Sequence, residues 1–226
     1  LPLPQRANVV TAWLGPRMHV VHYPVRGGEW MNVVAVVHGV LGQGHGGAVG
    51  SDPQGWTHEA RAADLLRALG PASVDLLAMV NAVPGWSLWS LNDRPAMSGA
   101  HEHAQGRVAL VGDAAHPLRP YLAQGAAMAM EDAWTIGRLL KPAPVSNDWP
   151  SVLARFANAR WQRNARVQQH SQRNGRIFHA TGLVRFGRDM AMRWLGEGLL
   201  DNPWLYDGPP EPEQEPVPSP RSQRKT

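Results

Sequence analysis

The sequence predicts an α/β fold, in which an antiparallel sheet with short helices precedes a strand–turn–helix segment and long C-terminal helices. Three observations support this prediction. Valine-rich runs separated by glycine-containing turns indicate strands at residues 8–14, 18–25 and 31–38. A further apolar run at residues 107–111 ends at a Gly-Asp pair. Apolar residues at helical spacing then indicate helices at residues 124–140, 149–178 and 183–195.

The shorter elements follow from turn and capping residues. Residues 26–29 predict a hairpin turn, and residues 42–50 a glycine-rich loop. Thr57 is the expected N-cap of a helix that includes Glu59 and Ala60, since its hydroxyl can accept a hydrogen bond from the first turn. Gly70 is the expected end of that helix. A short helix at residues 72–80 and a strand at residues 87–91 follow.

Composition excludes several classes of protein. The 226 residues include no cysteine, which excludes disulfides and thiolate metal sites and agrees with a cytoplasmic location. No apolar run approaches the roughly 20 residues that a membrane-spanning helix needs. The net charge is +4, but the arginines are scattered and form no basic stripe. The sequence therefore predicts a cytoplasmic protein without a membrane span or a nucleic-acid partner.

The strand and turn at residues 107–113 carry the strongest chemical signal. Asp113 directly follows the strand, which places its carboxylate at the carboxyl edge of a sheet, where open α/β sheets bind ligands. A carboxylate can accept two hydroxyl hydrogen bonds, as a ribose or ribityl diol requires. Gly112 lets the backbone approach a ligand without a Cβ clash. Such a Gly-Asp pair alone is also common as a plain turn.

The next helix begins with the small residues Gly125, Ala126 and Ala127, so a flat ligand can approach its first turn. The N–H groups at a helix start and the positive end of the helix dipole favour negative charge. A reduced flavin holds negative charge near its N1 atom and C2 carbonyl. The combination of this helix start with the preceding Gly-Asp pair is therefore more specific than either feature alone.

Residues 106–133 resemble the second FAD-binding motif of the class A flavoprotein monooxygenases, the family of salicylate hydroxylase and hydroxybenzoate hydroxylase. The resemblance implies that Asp113 binds the FAD ribose and that the N–H groups of Ala126 and Ala127 meet the pyrimidine edge of the flavin. It also implies that Pro120 lies along the ring. His116 belongs to the motif and is interpreted as structural.

The resemblance covers the chain except for its end. The segments outside the motif that carry it are residues 13–16, 19–24, 27–29, 32–34, 89–95, 173–175 and 204–206. The implied domains are a substrate-binding sheet domain with helices at residues 1–105, and the FAD motif with C-terminal helices at residues 106–207. Residues 208–226 are rich in Pro, Glu, Ser and Arg, which predicts a disordered tail.

His19 and Tyr23 are the candidate catalytic residues. They lie four residues apart on a predicted strand and therefore share a face. Some members of the family that hydroxylate phenols use a His and a Tyr on this strand to polarise the substrate hydroxyl. Deprotonation activates the phenol ring towards electrophilic oxygen, and an imidazole suits this task. The alternative is that both are ordinary sheet residues; His22 points to the opposite face.

Two other clusters do not predict a site. His101, Glu102 and His103 form one loop cluster without a further defined ligand, so no metal site is predicted. The glycines at residues 42–47 lack both the Lys-Ser/Thr pair of a phosphate loop and the strand–helix frame of a dinucleotide fingerprint.

The resemblance implies an oxidoreductase that hydroxylates a small aromatic substrate with FAD, NADH or NADPH, and molecular oxygen. The family's strand–Gly-x-Gly-x-x-Gly–helix unit and its Asp-Gly segment are absent from the sequence. A truncated chain is the expected explanation, since the motif shows no decay; one half of a split enzyme and a degenerate remnant are the others. The first alternative function is a non-catalytic flavin-binding module. The second alternative is a related flavin enzyme, such as a halogenase or an epoxidase.

Overall fold

The computed structural model describes residues 8–38, 58–141, 148–196 and 202–209. The chain divides into two compact units, one formed by residues 1–91 with 173–201 and one formed by residues 92–172 with 202–226. The predicted glycine-rich loop, Thr57 and the predicted tail beyond residue 209 lie outside the described residues. The boundary predicted at residue 105 separates the sheet domain from the FAD motif along the sequence and does not describe compact units, so it stays a prediction.

The first unit contains a three-stranded antiparallel sheet in the order β1 (Thr11–Gly15), β2 (Met18–Val25) and β3 (Trp30–Val37). It confirms the three predicted strands and the hairpin turn between the second and third. Gly27 in that turn has a φ of 67°, which favours glycine. The register pairs His19 with Val36 and Tyr23 with Asn32.

One face of this sheet packs on two short helices, α1 (Ala62–Leu69) and α2 (Val74–Ala82). The sheet contributes Met18 and Val20 to their shared core, and the helices contribute Leu69, Leu76, Met79 and Val80. The second helix confirms the short helix predicted at residues 72–80, with Ser73 Oγ accepting from the N–H of Leu76 as its cap. Burial of this apolar face, rather than helix propensity, stabilises such short helices.

The start of the first helix differs from the prediction. Glu59 and Ala60, which were expected in its first turn, lie in strand β4 (His58–Ala60), which pairs with β5 (Trp86–Leu88). The helix begins later because the Asp64 carboxylate accepts a hydrogen bond from the N–H of Arg61, at 3.3 Å, and so caps the helix there.

The second unit is mainly helical. Its β6 (Ala104–Gln105) and β7 (Val108–Ala109) form a small hairpin, followed by helix α3 (Gly125–Leu139) and by α4 (Trp149–Phe178), whose residues from 173 onward belong to the first unit. The remaining helices are α5 (Gly182–Leu195), which belongs to the first unit, and α6 (Pro203–Tyr206), which belongs to the second. The long helices lie where their apolar spacing predicted them, and the α/β fold class is confirmed.

The strand predicted at residues 107–111 is shorter than expected, and part of it is exposed. Only Val108 and Ala109 pair as a strand, and the side chains of Val108 and Val111 are 66% and 46% exposed. The reason is that β7 has one neighbour, β6, within the described part of the chain. A two-stranded hairpin alone has no opposing layer to cover its apolar side chains.

None of the helices in the described residues combines the length and apolar character needed to cross a bilayer. The longest, α4, is interrupted by many arginine and glutamine residues.

Candidate functional site

A tight 3₁₀ turn, Gly112–Ala114, follows β7 and presents Asp113 to solvent. Gly112 has a φ of 55°, a left-handed conformation that is costly for other residues. A Cβ atom at Gly112 would also lie 3.3 Å from the Cβ atom of Ala129 on α3. The left-handed turn therefore favours glycine here, and a larger side chain would also require Ala129 to shift slightly.

Helix α3 begins without a side-chain cap. Gln124 precedes it and makes no capping hydrogen bond, and the first intrahelical bond runs from the N–H of Met128 to the carbonyl of Gln124, at 2.9 Å. The N–H groups of Gly125, Ala126 and Ala127 come before that bond and have no intrahelical acceptor. An uncapped helix start of this kind attracts anionic or carbonyl groups.

The Asp113 carboxylate lies beside this helix start. A Cβ atom placed on Gly125 would be 3.8 Å from Asp113 Oδ1, so a glycine here leaves room at the carboxylate. Ala126 and Pro120 are exposed, and Ala127 is half-buried. The structure thus brings together Asp113 and the first turn of α3, which we call the helix-start site: Gly112, Asp113, Gly125, Ala126 and Ala127.

A buried carboxylate, Asp132, fastens the turn to α3. Its Oδ2 atom accepts hydrogen bonds from the N–H of Gly112 at 3.0 Å and from His116 Nε2 at 2.7 Å. Its Oδ1 atom accepts from Arg160 Nε on α4 at 2.8 Å. Gly112, His116, Asp132 and Arg160 are all buried. His116 therefore serves the position of the turn, in agreement with its interpretation as structural.

The charge of this network is balanced by arginines. Burial alone would raise the pKa of Asp132, but hydrogen bonds from His116, Arg160 and Gly112 hold it below its ordinary value. Arg160 also contacts Glu131 at 2.6 Å, and Arg163 binds the same carboxylate through two contacts of 2.7 Å. These hydrogen bonds outweigh burial and lower the pKa of Glu131 as well.

His103, His116 and Asp132 lie close enough together to suggest a metal site, with potential ligand atoms within 4.8 Å of one another. Their bonding does not favour one. The guanidinium of Arg160 already supplies a cation 2.8 Å from Asp132, and Asn164 Nδ2 donates to His103 Nε2 at 2.9 Å. The cluster is better described as a hydrogen-bond network that holds the helix-start site.

Asp132 and Arg160 were missed by the sequence analysis. A signal was present, because Glu131 and Asp132 are adjacent acids in a mainly apolar helix, and Arg160 and Arg163 are three residues apart on the next helix. Residues at this spacing share a helix face. The pairing itself joins positions 28 residues apart, which spacing alone does not reveal.

The candidate catalytic residues His19 and Tyr23 lie on β2 in the first unit. His19 is 1% exposed, and its Nδ1 atom is 2.8 Å from His179 Nε2. Burial, and then the neighbouring His179, lowers the pKa of His19 to about 4. The half-buried Tyr23 accepts a hydrogen bond from Asn32 Nδ2 at 2.7 Å. His22, on the opposite face, accepts from Trp13 Nε1 at 3.0 Å.

The helix-start site fits part of an FAD molecule. Its exposed carboxylate suits a diol, and the adjacent N–H groups suit the electron-rich edge of a flavin ring. The space left by Gly125 beside Asp113 allows a ligand to contact both groups.

Comparison with known proteins agrees with this fit. A family model described as an FAD binding domain matches residues 48–172, which is more than half of the chain. The 3-hydroxybenzoate 6-hydroxylase of Polaromonas naphthalenivorans is 36% identical over 203 residues, covering 88% of this chain and 46% of that protein. A 3-amino-4-hydroxybenzoate 2-monooxygenase of Streptomyces platensis is 35% identical over 198 residues, covering 87% and 46%.

A solved structure shows a similar fold. The substrate complex of a salicylate hydroxylase superposes with a TM-score of 0.66 and 27% sequence identity, covering 83% of this chain and 46% of that one. The present chain thus spans about half the length of the relatives it matches.

Proposed function

The chain belongs to the FAD binding domain family of the class A flavin monooxygenases, and from this premise we propose that it is part of an enzyme that hydroxylates a phenolic aromatic acid. The observation that carries the proposal is the Asp113 carboxylate beside the uncapped start of α3. The activity is that of a whole enzyme, to which this chain contributes one half of the cofactor site.

FAD is held in this proposal by the helix-start site. Asp113 accepts hydrogen bonds from the ribose hydroxyls, and the N–H groups of Ala126 and Ala127 donate to the pyrimidine edge of the ring. Gly112 and Gly125 leave room for this approach, and Pro120 lies along the ring. When bound, FAD supplies the redox and oxygen chemistry, while the protein orients the reactants and excludes water. NADH or NADPH is the expected reductant. A cytoplasmic location is expected because the reductant is supplied there.

The substrate class follows from the relatives' names, which share a benzoate ring with a hydroxyl group. A phenol becomes a stronger nucleophile when it loses its proton. His19 is the candidate acceptor of that proton: its lowered pKa, about 4, keeps it neutral near pH 7, and the same shift makes it a weaker base than an ordinary imidazole. Tyr23 already accepts a hydrogen bond from Asn32, so its own hydroxyl proton is available to hold the substrate oxygen.

The first prediction concerns FAD affinity. Substitution of Asp113 by Asn should weaken FAD binding by roughly ten- to a hundredfold, since a hydrogen bond to a charged group contributes about 1.5–3 kcal/mol. Flavin fluorescence during titration with the chain measures the dissociation constant. The melting temperature should stay unchanged because Asp113 is exposed.

The matched control is Glu29→Gln, which removes an exposed carboxylate from the hairpin of the first unit. It should bind FAD as the wild type does. Equal affinity of Asp113→Asn and wild type would contradict the ribose role. Flavin binding without NAD(P)H oxidation stimulated by a hydroxybenzoate, in the enzyme with its dinucleotide fold, would favour the alternative of a non-catalytic binding module.

A further inference from the structure

Residues 119–124, which we call the ring loop, connect the turn at Gly112 to α3. The ring loop contains Pro120, which lies along the flavin ring in the proposed function, and it ends at Gln124, directly before the uncapped start of α3. The structure describes all six residues, and none of them belongs to a helix or strand. The position of the ring loop therefore depends on contacts with other parts of the second unit.

Arg119 holds the beginning of the ring loop through both its side chain and its backbone. Its Nη2 atom donates a hydrogen bond to Asp93 Oδ1 at 3.1 Å, and its Nε atom lies 2.7 Å from Asp93 Oδ2. Two contacts with one carboxylate restrict the orientation of a guanidinium more than a single contact does. The carbonyl of Arg119 also accepts a hydrogen bond from Ser171 Oγ on α4, at 3.0 Å. Pro120 thus follows a residue that two other segments of the chain hold.

The segment that carries Asp93 is attached to the 3₁₀ turn of the helix-start site. The neighbouring Arg94 donates from Nη1 to the carbonyl of Ala115, the residue that follows this turn, at 3.2 Å. The carbonyl of Arg94 accepts from Gln172 Nε2 on α4, also at 3.2 Å. The ion pair of Asp93 therefore joins the ring loop to the backbone that follows the turn.

The end of the ring loop has a strained backbone. Ala123 has a φ of 53°, a left-handed conformation in which Cβ lies close to the following carbonyl oxygen. A residue other than glycine keeps such a conformation only where the surrounding structure holds it. Release of the loop at Arg119 would therefore favour relaxation at Ala123, immediately before the helix start.

We propose that Asp93 and Arg119 are positioning residues for the flavin, and that their ion pair holds the ring loop in the conformation that places Pro120 along the ring. The proposal rests on the proposed function, because it takes the helix-start site as the flavin site. Neither residue is catalytic, since both act through the loop. The side chains of Arg119 and Asp93 are 39% and 25% exposed, so the pair contributes little to global stability. Its effect is on the loop and on the bound ring.

The first test measures the ring loop in the full chain without flavin. Asp93→Asn should speed amide hydrogen exchange of the ring loop, followed by NMR, roughly two- to fivefold, the range that a partly exposed ion pair supports. Arg119→Gln should have the same effect. The double variant should exchange no faster than either single variant, because each of the three loses the same contact. Glu29→Gln removes an exposed carboxylate of the first unit and is the matched control, with wild-type exchange.

The second test adds FAD to the full chain. Asp93→Asn should weaken FAD binding roughly two- to fivefold and should shift the visible circular dichroism of the flavin at saturation, since the ring loses a fixed neighbour. High salt should weaken FAD binding by the wild type more than by this variant, because salt screens a partly exposed pair. A role in stability alone would leave the spectrum at saturation unchanged. Glu29→Gln should reproduce the affinity, spectrum and salt response of the wild type.

The outcomes separate the two proposals. Loop exchange that is equal in Asp93→Asn and the wild type overturns the positioning role and leaves the proposed function intact, and so does a flavin spectrum and affinity that are equal in both. Additive effects of Asp93→Asn and Arg119→Gln on exchange would show that the two residues act separately, which also overturns the positioning role. A wild-type chain that binds no FAD overturns both proposals.

Discussion

Asp132 connects three parts of the second unit through a single carboxylate. It accepts hydrogen bonds from the Gly112 turn, from His116 and from Arg160, and all of these groups are buried. Breaking a buried ion pair is costly because the remaining charge loses its partner without regaining water. The carboxylate thus stabilises the unit and also fixes the position of the adjacent Asp113.

Substitution of Asp132 by Asn should destabilise the chain by about 3 kcal/mol, the lower end of the range for a broken buried pair, since Glu131 still contacts Arg160. Urea unfolding of the full chain measures the loss. Asp93→Asn, which breaks the partly exposed pair with Arg119, is the matched control and should cost at most about 1 kcal/mol. Similar losses in the two variants would contradict the role of Asp132.

At the scale of elements, periodicity predicted what depends on local sequence. The bounds of β2 and α4 agree with their apolar patterns because one face of each is buried. The predicted start of α1 and the predicted length of β7 were wrong, because a side-chain cap at Asp64 decides the first and the number of neighbouring strands decides the second. For the site, the local motif predicted that Asp113 meets the start of α3, whereas the pairing of Asp132 with Arg160 depends on tertiary contact.

The end of α4 depends on a side chain from the next helix. The last carbonyls of a helix have no intrahelical donors. Arg188 Nη1 on α5 donates to the carbonyls of Ile177 at 3.2 Å and Phe178 at 2.7 Å, and Arg188 is 7% exposed. This contact fixes the backbone that leads into His179.

Replacement of Arg188 by Ala should therefore destabilise the chain by about 2 kcal/mol, the order expected for losing charged hydrogen bonds to partly buried carbonyls. Thermal unfolding followed by circular dichroism measures it. Arg185→Ala, on the same helix, removes only a half-exposed pair with Asp189 at 3.6 Å and serves as the control. If both variants melt together, the capping of α4 by Arg188 is refuted.

At the scale of the whole molecule, each unit contains a buried polar network with a histidine that resists protonation. In the first unit it is His19, whose pKa burial and His179 lower to about 4. In the second it is His103, whose pKa burial lowers despite the opposing effect of Asp132. Such networks make the stability of a protein depend on pH even where no catalysis occurs.

The sign of this dependence is the same in both units. Between the ordinary pKa of 6.5 and about 4, the unfolded chain binds a proton at His19 that the folded chain does not. Stability should therefore be fully present above pH 6.5 and fall below it, with His19 contributing up to about 1.4 kcal/mol per pH unit and His103 adding to the loss. The lowered pKa values of Glu131 and Asp132 extend the loss to still lower pH.

Urea unfolding at a series of pH values measures how steeply the free energy of unfolding changes with pH. His19→Gln should flatten this slope between pH 6.5 and 4 because glutamine does not titrate. An unchanged slope in that variant would show that His19 takes up its proton equally in both states.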